Sequence, residues 1–228
     1  SSFFLCHVAG IIRALQKAEH FLRTDRGSVK GAVASSMYDR LSAALRTGAP
    51  ADFSDHEELL VYTVGRLRDR SRYLFALHMA IGSRLDVCDK VRQLFLPSYG
   101  VLGEGTVGGT TVKVCSIGGA SGFDHVGFTA LSEFLVRAQP RRQEKDLWTA
   151  AAVETTVFDL YADHWRPIVE AMMSRGPQDE TGSTNSRVVV KQCDIRKDLT
   201  AACNEMLAVS VSEADVIVFQ FVLHENAK

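Results

Sequence analysis

The residues best suited to chemistry lie in one short run, Val114-Cys115-Ser116-Ile117-Gly118-Gly119-Ala120-Ser121-Gly122-Phe123-Asp124. An apolar, β-branched stretch enters a turn almost free of side chains, and a helical pattern follows. Glycines permit positive φ and let backbone come close to a ligand. The first turn of a helix then offers amide N–H groups that have no partner within the helix. Ser116, Gly118, Gly119, Ala120, Gly122 and Asp124 are therefore candidates to hold a small ligand. The dinucleotide fingerprint G-x-G-x-x-G does not fit, because Ala120 takes its third position and Phe123 its last. The pattern present is Gly118-x-Ala120-x-Gly122.

Two acids follow at the ends of later strand-like runs. Asp159 closes Thr156-Val157-Phe158-Asp159-Leu160. A carboxylate there can accept two hydrogen bonds from a ribose diol. Asp194 follows Val190-Lys191-Gln192-Cys193, with Ile195 next. For each acid the plainer role is a helix N-cap after a strand. A fourth run, Ala214 to Leu223, ends where open α/β sheets place ligands and chemistry. Gln220 within it is a candidate cofactor contact. His224 and Glu225 just beyond it are candidates to orient or deprotonate an acceptor, against a plain reading as loop polarity.

The elements that must position these groups change character along the chain. Residues 1–97 read as an all-helical region. Phe4, Val8, Ile11, Leu15 and Leu22 share one helical face. Ser54 or Asp55 caps a later helix, with Glu57 and Glu58 in its first turn, running to Ile81 with a possible break at Gly65. Another covers Leu85–Leu96. Residues 98–110, with five glycines, read as a linker. From Thr111 strands alternate with helices. Strands are expected at Val112–Ile117, Val153–Phe158, Arg187–Gln192 and Asp215–Leu223. Helices are expected at Phe123–Ala138, Ala162–Ser174 and Leu199–Val209, and Gly176–Ser186 reads as an exposed loop. Such alternation implies an α/β domain over residues 111–228 with a Rossmann-like parallel sheet.

The glycine spacing resembles the G-x-G-x-G loop of class I S-adenosylmethionine-dependent methyltransferases. That resemblance covers about residues 110–225. It implies S-adenosyl-L-methionine as cofactor, with Asp159 on the ribose, Asp194 on the adenine amino group, and Ile195 and Cys193 as part of an apolar sandwich around the ring. Read as one unit, Ser116 to Gly127 is similar to a narrower eukaryotic group with a G-G-G-P-G-S-D-x-x-G variant. Some of its fungal members are similar to ribosomal RNA uridine-N3 methyltransferases. Asp124 and Gly127 match that variant, while Ala120, Ser121 and Phe123 depart from it. The spacing from Asp159 to Trp165 also looks like that group. The resemblance implies an RNA, or else a protein, as acceptor. It also implies a seven-stranded sheet, of which four strands are readable before Lys228. Val216–Leu223 is apolar at nearly every position and suits a strand covered on both faces rather than an open edge. The expectation is therefore a sequence lacking the last strands of the sheet.

Bulk composition narrows the rest. The chain has 228 residues, 46% of them apolar and 23% charged, with a net charge of −1. That balance supplies no general field for nucleic acid or an anionic membrane. No stretch is long and apolar enough to span a bilayer, and Phe3–Phe21 lacks the pattern of a signal peptide. The five cysteines are odd in number and show no Cys-x-x-Cys spacing. This argues against structural zinc and a disulfide framework, and for the cytoplasm or nucleus. The seven histidines form no metal-binding motif, so no metal is expected. Arg66, Arg68, Arg70 and Arg72 divide between two faces of a helix and read first as a solvated, partly self-paired surface, with contact to the phosphates of an RNA substrate as the alternative. The N-terminal helices read as a cap over the cofactor cleft, a substrate arm or a dimer interface. Two further readings of the chain stand beside the methyltransferase: a catalytically inactive methyltransferase-like scaffold, and a nicotinamide-dependent oxidoreductase that the glycine spacing disfavours.

Overall fold

The computed structural model describes residues 8–9, 40, 43, 47, 55–81, 93–95, 111–138, 150–173 and 186–219. Helix α1 spans His56–Ile81. Four strands follow, β1 Thr111–Ile117, β2 Ala152–Asp159, β3 Arg187–Gln192 and β4 Val216–Phe219. Between them lie α2 Phe123–Arg137, α3 Ala162–Met173 and α4 Glu205–Glu213, the last preceded by a 3₁₀ turn at Ala202–Asn204. The linker at 98–110, the loop at 176–185 and most of residues 1–54 lie outside the described residues, as do Gln220, His224 and Glu225.

All four strands are parallel, in the order β3-β2-β1-β4. The chain moves outward from β1 through β2 to β3, then returns to the other side of β1. The strand order thus reverses between β1 and β4, the position at which open α/β sheets bind ligands. The protein is an α/β structure with a Rossmann-like parallel sheet.

Alternation along β1 sorts the two faces. Val112 and Val114 join Val153, Val157, Val190 and Val218 in one core beneath α2 and α3. Cys115 and Ile117 join Phe158, Cys193 and Leu207 in a second core under α4. A period of two in each strand produces this division. At the bottom of the sheet, Asp215 N–H donates to the carbonyl of Lys113, and its carboxylate accepts the Lys113 N–H at 2.8 Å. These two bonds set the register of β4 on β1.

Helix α1 lies against α2 and touches α3. Leu59, Leu60, Thr63, Leu67 and Ser71 are its buried side, and Tyr62 lies 6.1 Å from both Phe123 and Trp165. It runs unbroken through Gly65, whose Cα faces open space, so the expected break is absent. A helix-interior glycine costs only about 1 kcal/mol, which the packing of the other face outweighs. Val8 and Phe95 are buried in the same core. Helix α4 also starts later than its apolar periodicity suggests, at Glu205 rather than Leu199, because residues 194–201 are held as a loop. No described helix is long and apolar enough to cross a membrane.

Candidate functional site

Strand register brings the sequence-read groups to one edge of the sheet. Ile117 of β1 pairs with Phe158 of β2 and with Phe219 of β4, and Asp159 pairs with Gln192 of β3. The glycine turn, Asp159 and the segment at Cys193–Ile195 therefore all emerge from the carboxyl ends of adjacent strands.

The turn itself is tied down at both ends. Gly118 N–H donates to the Phe158 carbonyl at 2.7 Å, and Gly122 N–H donates to the Gly119 carbonyl at 2.9 Å. Positive φ falls at Gly118 (68°), Ala120 (47°) and Gly122 (79°), the three positions of the G-x-G-x-G spacing. Ala120 thus holds a left-handed conformation that ordinarily selects glycine. Gly119 is required for a different reason. A Cβ there would collide with Ser116 Oγ and would sit 3.2 Å from Ser116 Cβ and 3.3 Å from Val157 Cγ1. The backbone of the turn folds back onto the end of β1.

Beneath the turn lies a small buried polar group. Ser116 Oγ donates to Asp124 Oδ2 at 2.6 Å, joining β1 to the first turn of α2. Ser116, Ser121 and Asp124 are all buried, Asp124 to 1% exposure. Among the described residues, Asp124 Oδ1 and Ser121 Oγ have no hydrogen-bond partner. Burial pushes the Asp124 carboxyl up to about 6, while the bond from Ser116 and the charge of Arg70 pull it back. Arg70 comes from α1, and its spacing within the arginine run does not distinguish it from its neighbours. Arg68 pairs with neighbouring Asp69 at 3.2 Å on the exposed side, whereas Arg66 and Arg70 are half-buried. Next along α2, His125 is buried and meets Thr155 of β2 at 2.9 Å.

The two strand-end acids share one local geometry. Asp159 Oδ1 accepts the N–H of Tyr161 at 2.8 Å, and Asp194 Oδ1 accepts the N–H of Arg196 at 3.1 Å. Each is a side chain folding its own backbone two residues on. Asp159 stays half-buried at the end of β2. Asp194 is more committed. Arg196 grips it through Nε at 2.8 Å and Nη2 at 2.9 Å, and this fork holds the carboxylate below its usual range. Oδ2 still has acceptor capacity on its free lone pairs.

Cys193 lies between these acids in sequence and space. Burial first, then the charges of Asp159 and Asp194, push its thiol up to about 12. Its side chain packs in the α4-side core with Cys115, while Ile195 is exposed at 36%. Asn204, fully buried, organises the segment. It accepts the Asp194 N–H at 2.9 Å and donates to the carbonyls of Asp194, Lys197 and Asp198. No spacing rule in the sequence marks an asparagine ten residues downstream for this task. No group of three or more His, Cys, Asp and Glu among the described residues converges as a metal site. Comparisons with protein-family models, with curated proteins and with solved structures returned no match.

Proposed function

We propose that this protein is a methyltransferase that uses S-adenosyl-L-methionine, with the donor seated on the turn Gly118–Gly122. One observation carries the reading. A G-x-G-x-G-spaced turn, with positive φ at all three marked positions, leaves the central strand of a β3-β2-β1-β4 parallel sheet. It does so beside an acid at the end of the neighbouring strand. Asp159 is the ribose ligand in this reading, and Asp194, through the acceptor capacity left on Oδ2, is the adenine ligand. Methyl transfer from a sulfonium is an in-line displacement with an activated leaving group, so the protein supplies mainly position and desolvation. RNA is the proposed acceptor, supported by the similarity of Ser116–Gly127 to the G-G-G-P-G-S-D group. His224 and Glu225 are the proposed acceptor-side residues.

Calorimetry of the chain against S-adenosylmethionine, S-adenosylhomocysteine and NAD tests the cofactor. Binding of the first two without NAD is the expected result, and absence of binding by either overturns the reading. A second reading, an inactive scaffold of the same ancestry, draws support from the Arg196 fork on Asp194. Transfer of labelled methyl from the donor into cellular RNA or protein separates the two.

A further inference from the structure

A helix N-terminus behind a glycine turn ordinarily receives an anion, because its amides and its dipole favour negative charge. Here the chain places its own carboxylate in the first turn, bonded to the Ser116 hydroxyl of β1 rather than to a helix N–H. Asp124 sits in the first turn of the 15-residue α2, two residues after Gly122, the last positive-φ glycine. It is 1% exposed, and only one of its oxygens is hydrogen-bonded among the described residues. A buried carboxylate with one oxygen unused is costly even with the Arg70 charge nearby, and Asp124 does not offset that cost by capping the helix, whose N-cap is Gly122. A buried polar atom left unsatisfied in this way calls for an explanation beyond stability.

We infer that Asp124 is the charge-selecting residue of the turn, favouring a cationic ligand over a neutral one and opposing a polyanionic one. The inference rests on the methyltransferase reading for the identity of the ligands. S-adenosylmethionine carries a fixed positive charge on sulfur, and S-adenosylhomocysteine has a neutral thioether. Both share the same ammonium, carboxylate and adenosine. Their relative affinity therefore isolates the response to the sulfonium. An ionised carboxylate in a low-dielectric setting acts over several ångströms, so Asp124 does this from beneath the turn as a positioning charge. The same charge repels a pyrophosphate, in keeping with a glycine spacing unlike the dinucleotide fingerprint.

Among the described residues, the groups facing Asp124 are few. From β1 comes the Ser116 hydroxyl and from α1 the Arg70 guanidinium, while neighbouring His125 on α2 meets Thr155 of β2. Arg70 faces the turn equally in both complexes, whichever ligand is bound. Asp124 is then the group whose protonation changes the preference. With its carboxyl raised to about 6, it is ionised at neutral pH and loses its charge in mild acid.

The test is the affinity ratio of S-adenosylmethionine to S-adenosylhomocysteine, measured calorimetrically on the whole chain from about pH 7.5 to about pH 5. The ratio is expected to fall roughly tenfold across that range in the wild type. Asp124→Asn keeps the shape and an acceptor for Ser116 but not the charge. It is expected to lower S-adenosylmethionine affinity roughly tenfold, to leave S-adenosylhomocysteine affinity in place, and to flatten the pH dependence. Equal weakening of both ligands, or an unchanged ratio, overturns the inference and makes Asp124 a structural brace. If that variant does not fold, the wild-type ratio decides alone, and a ratio flat with pH refutes the inference. Both ligands binding with a flat ratio leaves the methyltransferase reading standing. Neither ligand binding at any pH overturns both.

Discussion

Gly119 lies against Ser116 so closely that no side chain fits between them. The serine cannot simply rotate away, because its hydroxyl is engaged by Asp124 at 2.6 Å. Gly119→Ala must therefore break that bond or lift the turn off β1. A loss of about 2–4 kcal/mol is expected, the range for overpacking plus a lost buried hydrogen bond. Urea unfolding measures it. The double variant with Ser116→Ala should lose less than the sum of the two single losses, since the obstructing hydroxyl is then gone. Strict additivity would disprove the contact as the cause.

Ala120 offers the opposite change. Its φ of 47° is a left-handed conformation that costs an L-residue roughly 1–2 kcal/mol. Ala120→Gly removes that strain but gives back roughly 0.4–1 kcal/mol of unfolded-state entropy. The net expectation is a stabilisation of up to about 1 kcal/mol, read from the midpoint of chemical unfolding. A loss of stability would mean that the alanine methyl packs usefully against the core.

These two positions show what was legible in the sequence. The marked positions of the turn could be read because positive φ leaves a compositional trace, and Ala120 kept the spacing despite its side chain. Apolar periodicity marks β3 to the residue and β1 and β2 to within one at each end, since alternating burial writes itself into the sequence. The apolar period starts α4 too early, because Leu199 fits the helical spacing but is 52% exposed in the structure. The loop there is fixed by Asn204, a long-range polar anchor with no periodic signal. Likewise, the burial of Asp124 and the approach of Arg70 depend on how α1 packs on α2, which spacing within either helix does not encode. The placement of Asp159 and Asp194 at strand ends is readable in the sequence, while their engagement with Tyr161 and Arg196 is not.

The buried carboxyl of Asp124 makes a distinctive pH signature. Its value rises from the ordinary 3.8 to about 6 in the folded state, chiefly through burial. Between those values the folded protein holds a proton that the unfolded chain has lost. Stability from this group therefore falls as pH rises from about 3.8 to about 6, and levels off above. The total is on the order of 3 kcal/mol for two pH units. Asp194 works in the reverse sense. Arg196 holds its carboxyl low, so its contribution is present above 3.8 and is lost as pH falls through the lower folded value. Asp124→Asn removes the first effect alone. Its stability relative to wild type should increase as pH is raised from about 4 to about 7, measured by urea unfolding at each pH. A constant difference would show that Asp124 titrates normally.

Asn204 should be among the least replaceable residues described. Its amide nitrogen serves three carbonyls at 2.9–3.2 Å, and its oxygen takes the Asp194 N–H. Asn204→Ala leaves these buried groups unpaired, and a cost of about 2–4 kcal/mol is expected in thermal or chemical unfolding. Asn204→Asp should be worse at neutral pH, because it sets a buried anion against three carbonyl oxygens. A mild effect of either variant would show that water replaces the side chain and that the loop is less enclosed than its burial implies.

At Asp159 an observed structural bond must be separated from the proposed ribose contact. Its Oδ1 accepts the Tyr161 N–H at 2.8 Å, a local bond that shapes the entry to α3. Asp159→Ala removes that bond along with any ribose contact, so a loss of stability alone says nothing about the ligand. Asp159→Asn keeps a carbonyl oxygen for Tyr161 and removes the charge and the second acceptor. If Asp159 holds a ribose diol, both variants should weaken S-adenosylmethionine by about 1–3 kcal/mol, the value of hydrogen bonds to a charged group. They should weaken S-adenosylhomocysteine by the same amount, because the ribose is common to the two. This equal loss contrasts with the selective loss expected at Asp124, so the two acids can be told apart in one set of titrations. Unchanged affinity in Asp159→Asn, with the fold intact, would confine Asp159 to its bond with Tyr161.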